Sequence, residues 1–326
     1  MSDLPKRVEF HEEGPREGFQ IEPRIYPLEQ RAALVEALAE TGLKAVQVAS
    51  FVSPKAVPQM ADSEALFAAI RRRPGVRYEA VWLNEQGFQR ARATPGVDLA
   101  GKISLYASDA FARRNNNCSA EEMRGRVLRW LDLYAEAGLT VERALVMAAF
   151  GCNFEGEIPP ARAVQELVWA HRICAERGIV LPKVYLADTM GWANPQSIRR
   201  LVGMLREALP DTRIGLHLHD TRGLGAANVL AALEMGVDLF DSSIAGLGGC
   251  PFAGHGDSRG AGNICTEDMV FLCRGMGIGT GLDLEKLIEA ARLAERIIGR
   301  PLGGHVMHAG SLAAYRARAG AAAGQG

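Results

Sequence analysis

Eight short runs of strand-forming residues recur along the chain, and each leads into a stretch with helical spacing. The strand-like runs are Arg7 to His11, Ala45 to Ala49, Tyr78 to Trp82, Lys102 to Tyr106, Val141 to Ala148, Val184 to Asp188, Ile214 to His219 and Leu239 to Ser243. Between them the apolar period lengthens to that of a helix, as in Leu28 to Thr41, Ala61 to Arg71, Gln86 to Ala93, Pro160 to Arg177 and Ala226 to Met235. Ser119 with Glu122 forms a capping box, and Asn194 before Pro195 caps another helix. Helical stretches at Thr266 to Arg274 and Leu284 to Ile298 follow the last strand. Eight β/α units in roughly 300 residues predict a TIM (β/α)8 barrel, an α/β fold. An open doubly wound sheet would place a glycine-rich phosphate turn after its first strand. Here that position reads Glu12-Glu13-Gly14-Pro15-Arg16-Glu17-Gly18, which does not match. The expected division is a catalytic barrel over 1–300 and a C-terminal extension over 301–326, whose Ala- and Gly-rich end has nothing to pack and is expected to be mobile.

Bulk properties narrow the functions. A formal net charge of −1 leaves no basic footprint for nucleic acid or an anionic membrane surface. No apolar run reaches the ~18 residues that a membrane span needs, and Met1 to Arg7 leads into no signal-like stretch. The six cysteines are irregularly spaced and include no C-x-x-C pair. Free thiols and a cytoplasmic location are the expectation, with a homo-oligomer, dimer or tetramer, as the working form.

Strand alternation turns His217 and His219 to one face, with Leu216 and Leu218 on the other. In a barrel of this kind the reacting groups stand at the C-terminal ends of the strands. Arg16, Glu17 and Gln20 follow the first strand, Gln47 and Ser50 lie at the end of the second, and Asp188 ends the sixth. Asn263 comes after the eighth, beyond the glycine-rich stretch Gly246 to Pro251. Glu17, His217, His219 and Asn263 together offer two nitrogens and two oxygens to one divalent cation, suited to Mg2+ or Mn2+ and able to take Zn2+ or Co2+. Taken singly, Glu17 reads equally as a loop acid and Asn263 as a helix cap. Arg16 beside a cation would stabilise an oxyanion. Cys250 could move a proton from a mobile loop, although a lone cysteine more often packs inertly. Asp188 would orient Arg16 or transfer a proton; otherwise it caps the following turn.

Six stretches in order resemble the hydroxymethylglutaryl-CoA lyase family: Glu13 to Gln20, Ser50 to Lys55 with Val57 to Met60, Asp188-Thr189, His217 to Thr221, Gly246 to Pro251 and Gly262-Asn263. The likeness spans about residues 7–298. It implies a metal-dependent carbon–carbon lyase that cleaves a 3-hydroxy-3-methylglutaryl-CoA-like thioester to acetyl-CoA and a keto acid. It also implies Arg16 as the enolate-stabilising group, Cys250 and His217 as catalytic groups, and Asn115 and Asn117 as part of the segment holding the acyl-CoA. Four departures bear on the substrate. Glu17 replaces an Asp at the metal. Gln47 replaces a Glu, so an acid at the metal's edge is missing. Leu145 and Met147 stand where the lyases have Tyr and Ser, making the pocket more apolar. The stretch Ala253 to Arg259 lengthens the Cys250 loop. Other readings are a lyase for a different branched thioester such as citramalyl-CoA, a condensing synthase of the isopropylmalate or homocitrate type, and an acyl-CoA-binding barrel without turnover.

Overall fold

The computed structural model describes residues 4–249, 262–313, 315 and 316. Its eight strands are β1 (Glu9–Glu12), β2 (Ala45–Phe51), β3 (Arg77–Trp82), β4 (Gly101–Tyr106), β5 (Val141–Met147), β6 (Lys183–Asp188), β7 (Arg213–Leu218) and β8 (Leu239–Ser242). Every paired neighbour is parallel, in the order β3-β2-β1-β8-β7-β6-β5-β4. The curled sheet with helices outside it is the expected barrel architecture. Between β3 and β4, however, no ladder forms among the described residues. Side chains span that seam instead. Lys102 Nζ lies 2.5 Å from Glu79 Oε2, and Trp82 Nε1 donates to Tyr134 Oη, which donates to the Lys102 carbonyl.

The expected helices form as α2 (Leu28–Ala39), α3 (Ser63–Ala69), α4 (Glu85–Ala93), α6 (Ala120–Glu136), α7 (Pro160–Glu176), α8 (Pro195–Ala208), α9 (Gly225–Glu234), α10 (Thr266–Gly275) and α11 (Leu284–Ile298). Both caps read from the sequence close as expected: Ser119 and Glu122 form a reciprocal box, and the Asn194 side chain accepts from Gln196 and Ser197. Three helices had not been expected: α1 (Gly14–Ile21), α5 (Asp109–Asn116) and α12 (Val306–Ala309). The first two are eight residues each, and few apolar side chains mark their buried faces: Phe19 in α1, Phe111 and Ala112 in α5. Pro15 at the first turn was the available signal in α1. The C-terminal extension is anchored at α12. Val306 and Met307 are buried, Asp268 accepts from the His305 and Val306 amides, and Arg292 Nε donates to the Met307 carbonyl.

The sheet's two faces differ in kind. Outward positions such as Val46, Val48, Leu105, Leu186, Leu216, Leu218 and Phe240 are fully buried beneath the helices. That layer is the apolar core. The inward positions carry His11, Gln47, Glu79, Lys102, Arg143, Tyr185, His217 and Asp241. Gly215 precedes His217 on the same inward face. A side chain there would drive into the Tyr185 ring, which itself supports the Arg143 guanidinium 4.7 Å from its centroid. Gly215→Ala is therefore expected to destabilise the protein by ~1–3 kcal/mol through overpacking, read as a lowered thermal midpoint. An unchanged midpoint would mean that the ring yields at no cost.

Candidate metal centre and active site

Glu17, His217 and His219 each bring a ligand atom within 4.8 Å of the others. β7 carries His217 and leads directly into His219, and their Nε2 atoms face each other at 3.1 Å. Glu17 comes from α1, so the alternative of a loop acid does not hold. The helix opens on the Glu13 carbonyl, which accepts the Glu17 amide at 2.9 Å. Close packing then fixes it: a Cβ on Gly248 would meet the Glu17 Cβ at 2.8 Å, and Gly248 holds φ at +98°. Asn263 reaches the rim because the returning chain pairs with the end of β7. His219 and Asn263 form an isolated antiparallel bridge, flanked by Ile264 N to Leu218 O at 3.0 Å and Asp220 N to Gly262 O at 3.1 Å. Asn263 Nδ2 donates to Glu17 Oε2 at 2.5 Å. Its Oδ1, though buried, has no hydrogen-bond partner among the described residues.

That orphaned oxygen is the fit test for a cation. Buried acceptors are nearly always satisfied, so an unpartnered one on a residue that bonds Glu17 and pairs with His219 fits a missing positive charge. The electrostatics agree. His219 is pushed down to about 3 by burial and the neighbouring His217, so it stays neutral with a lone pair to give. Burial alone would lower His217, but Asp241, Glu13 and Glu17 carry it upward. Burial raises Glu17. Two nitrogens and two oxygens make a donor set suited to a borderline or hard divalent ion.

Around this cluster lies a buried charge network that the sequence reading had missed. His217 Nδ1 is 3.1 Å from Asp241 Oδ2 and 3.6 Å from Glu13 Oε2. Arg143 donates to Asp241 Oδ1 at 2.7 Å and to Glu13 Oε1 at 3.1 Å. His11, pushed up to about 10 against the effect of burial by Glu79, Asp241 and Glu13, sits beneath them. His11 and Glu13 are two residues apart on β1 and its end, and ionisable groups at that period were the signal available. Gln47 brings no acid itself, and its Nε2 donates to Glu13 Oε1 at 3.0 Å.

Arg16 is held by three groups. Its Nε donates to Gln47 Oε1, its NH2 donates to Glu13 Oε2 at 3.1 Å, and its NH1 lies 3.5 Å from Glu17 Oε1. Asp188 therefore does not orient Arg16 as one sequence reading had it. The Asp188 oxygens accept from the Trp192 and Ala193 amides at 2.7 and 3.0 Å, closing the turn after β6. Burial nonetheless raises its carboxyl to about 6. Ser50 Oγ donates to Gln20 Oε1 at 2.8 Å beside α1. Leu145 and Met147 are half-buried and alternate with the buried Ala144 and Val146, so they share the inward face of Arg143 and lie nearer the mouth. Asn115 is on α5, where its amide donates to Tyr106 Oη at 2.8 Å. Cys250 and the stretch Ala253 to Arg259 lie outside the described residues.

Comparison with known proteins agrees with this geometry. The family model described as HMGL-like matches residues 7–294. A cytoplasmic 3-hydroxy-3-methylglutaryl-CoA lyase of Mus musculus is 37% identical over 310 residues, covering 95% of this chain and 86% of the relative. A mitochondrial hydroxymethylglutaryl-CoA lyase of Bos taurus is 38% identical over 310 residues, covering 95% and 91%. Among solved structures, an HMG-CoA lyase from Acinetobacter baumannii in complex with coenzyme A and 3-methylmalate superposes with a TM-score of 0.82 at 34% identity, covering 96% of this chain and 97% of that one.

The donor set leads to a direct expectation. Adding Mn2+ at a hundred times its dissociation constant to chelator-treated protein should stabilise the fold by about 2.7 kcal/mol, seen as a raised thermal midpoint. His219→Ala should abolish the rise. A shift of the same size in that variant would place the cation elsewhere.

Proposed function

The chain belongs to the HMGL-like family, and from that premise we propose that it is a carbon–carbon lyase that cleaves 3-hydroxy-3-methylglutaryl-CoA to acetyl-CoA and a keto acid, with a divalent metal at Glu17, His217, His219 and Asn263. The observation that carries this reading is the convergence of those four side chains beside Arg16 at the C-terminal mouth of the barrel. Mg2+ or Mn2+ is the favoured ion, with Zn2+ or Co2+ within the capacity of two imidazoles. When bound, the cation supplies Lewis-acid polarisation and a template for the substrate oxygens. No described helix is long and apolar enough to cross a membrane. We take the cytoplasm as the working compartment and a homo-oligomer as the working form.

The chain's own groups divide the remaining work. Arg16 has five N–H donors, and only two are spent on hydrogen bonds among the described residues. Its positive charge stabilises the thioester oxygen, where the enolate of acetyl-CoA gathers its negative charge. Cleavage needs a base for the tertiary hydroxyl. Asp188, with its carboxyl raised to about 6, is matched to accept that proton near neutrality. As the hydroxyl becomes a carbonyl, the electron pair of the breaking C–C bond passes to the enolate. The Cys250 thiol then returns a proton to the methylene carbon, releasing acetyl-CoA. His217, backed by Asp241, fixes the rim on which these groups are mounted. Gln20, Gln47 and Ser50 line the β1–β2 side, and Asn115 with Tyr106 stands on the β4 side for the acyl-CoA.

A second reading, a lyase for a thioester with a different branch such as citramalyl-CoA, is favoured by Leu145 and Met147, which present apolar rather than hydroxyl-bearing surface at the mouth. Release of acetyl-CoA from a small panel of 3-hydroxyacyl-CoA thioesters, with and without chelator, separates the two by relative kcat/KM. Purified, metal-loaded protein that released none from any of them would remove both. Cys250→Ser should keep its metal and lose ~10²–10⁴-fold in kcat. Arg16→Gln should lose ~10²–10³-fold. Turnover at the unmodified rate in either variant would strike that residue from the mechanism.

A further inference from the structure

Three polar side chains at the rim close on one another. Arg16 Nε donates to Gln47 Oε1, Gln47 Nε2 donates to Glu13 Oε1 at 3.0 Å, and Arg16 NH2 donates to Glu13 Oε2 at 3.1 Å. The triangle has one cation, one amide and one carboxylate. The acid belongs at the Glu13 corner, because Glu13 Oε1 also accepts from Arg143 at 3.1 Å and lies 3.3 Å from His11 Nδ1, where an amide nitrogen would face donors. Two carboxylates would face each other without a donor, and two amides would leave Arg16 without a counter-charge at these corners. We propose that Glu13 is a positioning residue for Arg16 and His217, supplying from the end of β1 the acid that Gln47 does not bring to the rim.

The placement supports more than packing. Glu13 is buried, yet its two oxygens face different tasks. Oε1 is held from below by Arg143 at 3.1 Å and by His11 at 3.3 Å. Oε2 faces upward to Arg16 and lies 3.6 Å from His217 Nδ1. It therefore touches both an oxyanion donor and the back of an imidazole ligand. Groups in that relation to a ligand tune both its orientation and its basicity. The inference rests on the lyase reading, but one of its readouts does not.

The test uses Glu13→Gln, Glu13→Asp and Gln47→Glu, each measured for Mn2+ affinity on metal-free protein and for kcat and KM. Glu13→Gln is expected to lose ~10–100-fold in metal affinity and in kcat, with KM within ~3-fold. Gln47→Glu alone should also lose kcat, through repulsion between two adjacent carboxylates. Glu13→Asp, which keeps the charge but not the volume, should hold both quantities within ~10-fold of the unmodified protein and above Glu13→Gln, the reverse of what a residue that merely fills space would give. Glu13→Gln equal to the unmodified protein in both readouts would overturn the proposal, as would a folded Glu13→Asp no better than Glu13→Gln. Should Glu13→Gln fail to fold, Glu13→Asp decides alone; its own failure to fold, or a loss beyond ~10-fold in both quantities, counts against the proposal. Unmodified protein inert on every thioester would sink the lyase reading, and the Mn2+ series would still judge Glu13.

Discussion

Inside the curled sheet, Arg143 is nearly withdrawn from water and holds Asp241 and Glu13 at once. A charge in that position is costly unless it is met by opposite charge in good geometry. The interior meets the demand by spreading it over several strands. β1 and its end bring His11 and Glu13, β3 brings Glu79, β4 brings Lys102, and β8 brings Asp241. Barrel interiors are more usually filled by layers of branched aliphatic side chains. Here the apolar layer lies outside the sheet, beneath the helices, and the interior is an ion lattice. Removing one member strands the others, so the lattice is sensitive to single changes in a way that an aliphatic filling is not.

That lattice is also the floor of the rim. Asp241 backs His217, Glu13 backs Arg16, and Tyr185 lies under Arg143. The residues read as reacting groups therefore stand on other buried charges, which stand on the sheet. Orientation is set before any substrate arrives, the condition under which fixed dipoles and charges contribute most. The same connection explains why glycine recurs where the rim is assembled. Gly215 makes room for Tyr185, and Gly248 lets the chain after β8 approach Glu17. Each marks a place where two elements come closer than a side chain allows.

The sheet's weakest join lies away from the rim residues. Between β3 and β4 the backbone ladder gives way to the Lys102–Glu79 pair and the Trp82–Tyr134 bridge. Strand count alone did not reveal this, since both runs have ordinary strand composition. The mouth beside that seam carries the half-buried Leu145 and Met147 from β5. Glu17, His217 and His219 lie on the α1 and β7 side. The mouth is therefore polar on that side and apolar beside Leu145 and Met147.

The strand and helix order was legible because burial imposes periods, two for strands and 3.6 for helices, that local sequence must obey. His217 and His219 were legible for the same reason, since a two-residue step on a strand fixes a shared face. α1 was not, because its buried face is Gly14, Pro15, Glu17, Gly18 and Phe19, residue types that mark no core-facing stripe in the sequence. Nor were Glu13, Arg143 and Asp241, since in the one-dimensional chain a charged residue on a strand reads as a solvent face. Only the curled geometry decides that their partners come from other strands, and that Asn263 folds back to pair with His219. Periodicity is local and is written into each segment. Charge balance acts through space between segments far apart in the chain, so it existed only once the sheet had curled.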